Sequence, residues 1–548
     1  MIFDFSPPLA VVPILVNAGA ALLPALIAGA ASLAALVLKP RELIRACQRY
    51  PGRATGAVLG VAAITAVITF WPAADAPGTA TRAPRSAASA SSTDWTKVAL
   101  ELIREEQRQK NAPAAPSPAP ASGSAPSVAS VASVPSSSAT NFRGGFDRTG
   151  HAGGPAPLEL RPLWEYDEEF AMFLSAPIVH GNRVFATWCL LDPPKTYGAV
   201  VCLDAATGRK LWQVEERPDK QPFKGIFSSP AVSADGRYVV VGQGLHPDTN
   251  CDLICLDAAT GRIKWLVSTP LHLESSPAIV GNLVVVGAGA IEVGNDYRVS
   301  GHPGYVFAVD LETGREVWRH DVADPESSPA IVDGIAYIGS GFNGSAIVAL
   351  RTAPDADLKA AQQSRELWRR ATPHPATGAI TVTGDLILAG CGNGDFVNAA
   401  KVPAGAVLAL DRATGAVRWT VALPDAVLGP IAVRGNLAIC PVRNGEVIAL
   451  DLTKNGAIVW RQRIAGNSPI LGGPAVTEEL VYAVSADGYL GVLSLTDGSL
   501  LEKHYLNAKS RPGALGMSLS APFISGGRVF VGSETGGLRA FSGAKSRR

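Results

Sequence analysis

Oxygen donors of the kind calcium takes occur together at Glu292, Asn295 and Asp296. Two further carboxylates, Glu274 and Glu326, each stand immediately before a Ser-Ser-Pro triplet. The first three lack the EF-hand spacing, so a solvated loop is the expectation for them, with calcium as the ion they would take if any, and no metal site is assigned. Glu274 and Glu326 are expected to line a polar channel. The eight histidines are scattered and no pair has metal-ligand spacing. Gly339-Ser-Gly-Phe-Asn-Gly344 matches a dinucleotide fingerprint, yet no helix pattern follows, so it reads as a hairpin turn. No Gly-x-Ser-x-Gly elbow, His-Glu-x-x-His or Walker loop is present, and no catalytic residue is assigned.

What must position these residues is a repeat. The segment 202–212 reads Cys-Leu-Asp-Ala-Ala-Thr-Gly-Arg-Lys-Leu-Trp, and near-copies end at Trp265, Trp318 and Trp419. The period of roughly 50 residues lies in the range of propeller blades. Each unit opens on a small-residue strand, typically Ser-Ser-Pro-Ala-Val, followed by a Gly turn and an apolar strand. A third strand then ends in Asp, a Thr-Gly turn follows, and a fourth strand ends in Trp. Counting these starts predicts an all-β, eight-bladed propeller over 141–543. The last unit lacks its fourth strand, and an orphan strand at 162–166 is expected to complete it, because a ring escapes free edges only when its ends meet.

The recurring residues have structural work. Asp204, Asp257, Asp310, Asp411 and Asp451 accept from the amides of the turns they open, and Gly208, Gly261, Gly314 and Gly415 supply positive φ. Trp164, Trp212, Trp265, Trp318, Trp368, Trp419 and Trp460 offer an apolar face and an N–H at the seam between blades. Blade four departs from the pattern with Arg351 and a polar insertion to Gln363. Blade seven reads Thr496-Asp-Gly498 and has no Trp.

This pattern resembles the tryptophan-docking repeat of the pyrroloquinoline quinone (PQQ) enzymes and of BamB-like outer-membrane assembly proteins, which share an eight-bladed propeller. The lead-in Asn141-Phe-Arg-Gly-Gly-Phe-Asp-Arg-Thr-Gly150 is similar to that of bacterial PQQ-like repeat proteins. The resemblance implies PQQ with calcium as a possible cofactor set, and many of the quinone enzymes stack the quinone under a disulfide of adjacent cysteines. No two of the seven cysteines are adjacent here, and Trp188 is the one propeller tryptophan outside a docking position. Cys202 and Cys255 stand where other repeats have alanine. Cys189 and Cys202 flank an insertion and are candidates to pair, and the states of Cys189, Cys202, Cys251 and Cys255 stay open. No cofactor is the leading expectation.

The first 76 residues differ in kind. Apolar runs support transmembrane helices over about 9–38 and 54–73, a hairpin whose loop 39–53 carries five basic residues against one acidic. The positive-inside rule places that loop in the cytoplasm and all that follows outside, anchored to the inner membrane of a bacterium with the propeller in the periplasm. Residues 77–140 are an Ala/Pro/Ser-rich linker with a short helix expected over 94–110, and 544–548 form a basic tail. With a formal net charge of +1, no nucleic-acid partner is expected.

Insertions at 190–197, 245–250, 291–303 and 395–404 fall at one place in the blade and so on one face, where a binding surface is expected. The leading expectation is a non-enzymatic scaffold that contacts another envelope protein or polymer through this face. The alternative is a PQQ-dependent alcohol or sugar dehydrogenase, and a weaker one is a sensor domain.

Overall fold

The computed structural model describes residues 141–192, 195–293, 298–299, 301–509 and 515–543, all within the unit Val128–Arg548. The expected transmembrane hairpin at 9–38 and 54–73, the linker and its helix, and the basic tail lie outside the described residues. Among the described residues no helix is long and apolar enough to cross a membrane.

Eight four-stranded antiparallel sheets form the blades. Blade 1 is β2 (Ile178–His180), β3 (Arg183–Asp192), β4 (Lys195–Asp204) and β5 (Lys210–Val214), from the axis outward. Blades 2 to 7 repeat this order. Blade 8 takes Phe523–Ser525, Arg528–Gly532 and Leu538–Ser542 from the C-terminal end, and its outer strand is β1 (Arg161–Tyr166), where Trp164 pairs with Ala540. The ring therefore closes through the strand that the missing fourth strand calls for.

Each docking motif is one local device used repeatedly. Asp204 Oδ1 accepts from Thr207 N at 2.9 Å and Thr207 Oγ1 at 2.8 Å, and Asp257, Asp310, Asp411 and Asp451 hold their turns in the same way. The third strand carries a small residue directly opposite the Trp: Cys202, Cys255, Ala308, Ala349, Ala409 and Ala449. A register shift follows at once in each case, and such a bulge re-aims the side chain beside it. The indole then reaches the next blade, Trp164 to Ala205 O at 3.1 Å, Trp212 to Ala258 O at 3.1 Å and Trp265 to Leu311 O at 2.8 Å. Trp318, Trp368 and Trp460 do the same to Thr352, Arg412 and Leu495. Trp419 packs its ring on Gly456.

The turn glycine answers two demands together. Gly208 has φ +70°, and a Cβ there would lie 2.6 Å from the Trp164 ring. Gly208→Ala is expected to cost about 2 kcal/mol or more, read as a lower urea midpoint with an unchanged slope.

The two departures from the repeat have physical reasons. In blade four the insertion forms α1 (Asp355–Ala360), and Arg365 returns to place its guanidinium 4.3 Å above the Trp318 ring, on the face that a turn glycine covers elsewhere. Beyond blade seven the chain itself fills the seam. Ala156 and Leu160 pack with residues of blades 7 and 8, and Tyr482 donates to Pro157 O at 2.6 Å.

Ser-Ser-Pro is a ring of hydrogen bonds. The first serine donates to the neighbouring inner strand, Ser275 Oγ to Ser327 O and Ser520 Oγ to Ser175 O, both at 2.9 Å. The second accepts from the preceding blade: Ser229 N to Ser276 Oγ and Ser276 N to Ser328 Oγ.

Candidate functional site

Because inner strands run from the insertion face to the opposite face, the links between blades and the loops between second and third strands share one mouth of the channel. The insertions differ in form. That of blade 1 is no loop but a continuation of β3 and β4, paired to Asp192 and Lys195. Its Thr196 hydroxyl bonds Asp248 Oδ2 at 3.0 Å and accepts from Gly225 N at 2.8 Å, which joins it to the insertion of blade 2. The blade-5 insertion is held by Arg443, which donates to Asp395 O at 2.8 Å and Val397 O at 3.1 Å. This leaves Val397 and Val402 67% and 78% exposed. A further loop, invisible as an insertion because it lies in the link from blade 7 to blade 8, is gathered by buried Glu534. That carboxylate accepts from the amides of Leu515, Gly516 and Met517, with Leu515 left 70% exposed. Exposed aliphatic groups on the rim suit protein contact.

The opposite mouth is closed by the chain's own lead-in. Inner strands present an unpaired edge to the axis, and residues 141–152 satisfy it strand by strand. Asn141 Oδ1 accepts from Ile279 N, Phe146 O from Ile331 N, Asp147 O from Val382 N, Thr149 O from Val433 N and Gly150 O from Val476 N, all within 2.8–3.0 Å. The segment thus passes blades 3 to 7 in order. Phe142 reaches the axis and packs against Ala176, Ala379 and Ala521 of blades 1, 5 and 8. Arg148 is fully buried and donates to the carbonyls of Phe142, Ser276, Pro277 and Pro329. Burial pushes its guanidinium down to about 9, the like charge of Arg143 adding to this and Asp147 opposing it, so it stays cationic at neutral pH. Arg143 explains why blade 7 opens Gly-Gly-Pro and not Ser-Ser-Pro: a Cβ on Gly473 would stand 2.1 Å from its Nη1. Beneath the segment's outer surface lies a depression of about 920 Å³, lined by Gly145, Asp147, His151, Asp333 and Arg412 among others.

Of the calcium candidates, Glu292 starts a short hairpin in which it pairs with Val299, while Asn295 and Asp296 lie outside the described residues. Cys189, Cys202, Cys251 and Cys255 are buried free thiols, so the suggested Cys189–Cys202 pairing does not form. In the strand register Cys189 faces Gly198 and Cys202 faces Phe185, which separates them along the hairpin. Burial raises both thiols, keeping them protonated. Trp188 packs against the apolar core of blades 8, 1 and 2.

Two histidines that no sequence spacing links meet in space. His246, in the blade-2 insertion, and His272, in the link to blade 3, have ring centroids 5.2 Å apart. Ligand-type atoms of His246, His272 and Glu326 all lie within 4.8 Å of one another. Glu274 Oε1 stands 3.8 Å from His246 Nε2 and 3.7 Å from His272 Nδ1. Burial pushes His272 down to about 4, outweighing the opposing pull of Glu326, so its imidazole is neutral at pH 7. Burial pushes the Glu326 carboxyl up, yet His246 and His272 outweigh this and hold it below the usual range. Glu274 and Glu326 were legible as carboxylates near the axis. Their histidine partners come from insertions and links whose folding no spacing rule reports.

The family model described as outer membrane protein assembly factor BamB matches residues 161–244, 196–353 and 354–548. The chain belongs to this BamB family. It is 28% identical over 339 residues to the outer membrane protein assembly factor BamB of Xanthomonas campestris pv. campestris, spanning 53% of this chain and 76% of that protein. It is 24% identical over 472 residues to a polyvinylalcohol dehydrogenase of Sphingopyxis sp., spanning 67% and 70%. Among solved structures, BamB from Moraxella catarrhalis superposes with a TM-score of 0.50 at 16% identity, over 70% of this chain and 99% of that one. Quinohemoprotein alcohol dehydrogenase from Comamonas testosteroni does so with 0.55 at 16% identity, over 75% and 81%. These structural likenesses establish the propeller fold and nothing further.

Proposed function

We propose that this BamB-family chain is a non-enzymatic scaffold of the bacterial cell envelope, anchored in the inner membrane by its N-terminal hairpin with the propeller in the periplasm. It binds another envelope protein through the inserted face. The observation that carries this reading is the pairing of a rim that offers exposed aliphatic side chains at Val397, Val402 and Leu515 with a channel axis taken by Phe142. A protein partner finds apolar anchors at the rim. BamB relatives, described as outer membrane protein assembly factors, support the same role type.

The test is affinity capture from envelope extracts with the full-length chain, and with variants shortened at 395–404 or carrying Val397→Asp and Val402→Asp. Shortening is expected to remove the specific partner while the unfolding free energy of the Asp variants stays within about 0.5 kcal/mol of the parent. Retention of the same partner by all variants would refute the assignment of this face.

The polyvinylalcohol dehydrogenase likeness favours a second reading, a PQQ- and calcium-dependent periplasmic dehydrogenase. Incubating the purified chain with PQQ and calcium, and following dye reduction with alcohols and sugars, separates the two. Turnover above the cofactor-free control would replace the scaffold reading.

A further inference from the structure

We propose that His246, His272, Glu274 and Glu326 form a site for one divalent transition metal of the zinc class, which ties the blade-2 insertion to the links entering blades 3 and 4. The inference stands on the geometry of these four side chains and holds whichever of the two functions is correct.

His272 provides the anchor. It is fully buried, and its Nε2 faces Ala290 O at 2.8 Å. A carbonyl only accepts, so Nε2 carries the proton and Nδ1 carries the lone pair. That Nδ1 is buried without a hydrogen-bond partner and faces Glu274 Oε1, itself an acceptor, at 3.7 Å. Two lone-pair atoms at this separation repel each other, and a cation held between them would turn that repulsion into attraction. The ring has little freedom to turn away, since even a Cβ on Gly289 would lie 2.4 Å from its Cε1. Glu274 Oε1 is oriented by His246 N at 3.1 Å. His246 then spans the two carboxylates, with Nε2 3.8 Å from Glu274 Oε1 and Nδ1 2.9 Å from Glu326 Oε1.

The donor set selects the ion. Calcium and magnesium take oxygen ligands, whereas two imidazoles beside carboxylates suit zinc and its first-row neighbours. Tetrahedral zinc, with bonds of about 2.0–2.1 Å, sets its ligand atoms about 3.3 Å apart. Glu274 Oε1 stands 3.7 Å from His272 Nδ1 and 3.8 Å from His246 Nε2, and ligand-type atoms of His246, His272 and Glu326 lie within 4.8 Å of one another, so the side chains would draw in around the ion, with His246 turning one of its two nitrogens to it. Four protein donors close the coordination shell, the pattern of a structural site. Two carboxylates balance the charge of the ion, and the partly exposed His246 provides the way in.

Three chain segments, at 246, 272–274 and 326, would thus be clamped on the proposed binding face. The consequence is a rigid mouth when the metal is bound.

The test uses the full-length chain, stripped with chelator and titrated with Zn²⁺, and with Co²⁺ as a spectroscopic probe. Expected are one equivalent bound with a submicromolar Kd, ligand-field bands of four-coordinate Co²⁺, and a Tm raised by a few degrees with Zn²⁺. His246→Ala and Glu274→Gln are expected to weaken Zn²⁺ binding at least 100-fold and to abolish the Tm gain. Glu326→Gln is expected to weaken binding at least 10-fold. Because His246 and Glu274 reach solvent, the metal-free variants should unfold within a few degrees of the metal-free parent, so lost binding is not lost folding. No binding tighter than about 10 μM, binding unchanged in His246→Ala and Glu274→Gln, or preference for Ca²⁺ over Zn²⁺ would each overturn the proposal. Retained partner capture with lost metal binding, or the reverse, distinguishes this site from the function of the face.

Discussion

Trp318→Ala is expected to destabilise the propeller by about 3–5 kcal/mol, among the largest single-residue effects in the chain. Trp318 is 2% exposed, fills the seam between blades 3 and 4, and donates to Thr352 O at 2.9 Å. Removing it opens a cavity, strips that carbonyl of its donor and leaves Arg365 without the ring on which its guanidinium lies. Trp164 provides the comparison, since it docks in the same way at the closing seam but is only partly buried. Trp164→Ala should therefore cost less through lost packing. Equilibrium urea unfolding of both variants, followed by far-ultraviolet circular dichroism, checks the order. A smaller loss at Trp318 than at Trp164 would show that ring closure, and not seam packing, limits stability.

Arg148→Ala is expected to cost about 3–5 kcal/mol and to free the lead-in from the channel. Its guanidinium serves the carbonyls of Phe142, Ser276, Pro277 and Pro329, drawn from the lead-in and two inner strands. Deleting it leaves those acceptors dry, at about 1–3 kcal/mol for each that finds no water. The residue is also held at φ +59°, a strained backbone conformation that these bonds offset. Arg148→Lys should recover little, because an ammonium cannot fork toward carbonyls on two sides. Limited proteolysis followed by mass spectrometry is the direct readout. New cleavage within 141–160 is expected in Arg148→Ala at protease concentrations that spare the parent. Protection equal to the parent would show that the backbone ladder along the inner strands suffices to hold the segment.

Much of the ring could be read from the chain because its determinants are short-range. Asp204 and Thr207 meet within one turn, Gly208 accepts positive φ, and Cys202 faces Trp212 across one hairpin. A register defined by neighbours a few residues apart repeats wherever those residues repeat, and the unpaired strand at Arg161–Tyr166 had one free edge to join. The departures carried information that could not be decoded in the same way. Gly473 and the missing Trp of blade seven are answered by Arg143 and by the segment carrying Ala156 and Leu160, more than 300 residues earlier. The site was less legible still. Glu274 and Glu326 stood out by their place before Ser-Ser-Pro, whereas His246 and His272 had no spacing to mark them.

The sequence by itself determined the number of blades, their strand order, the closing strand and the face that bears the insertions, because each follows from local turn and strand chemistry repeated at a constant period. Only the tertiary structure decided that the lead-in threads the channel with Phe142 on its axis. It alone also brought His246, His272, Glu274 and Glu326 together into one cluster. Both depend on where irregular segments settle against a completed ring. Their partners lie tens to hundreds of residues away, and no periodicity records such contacts.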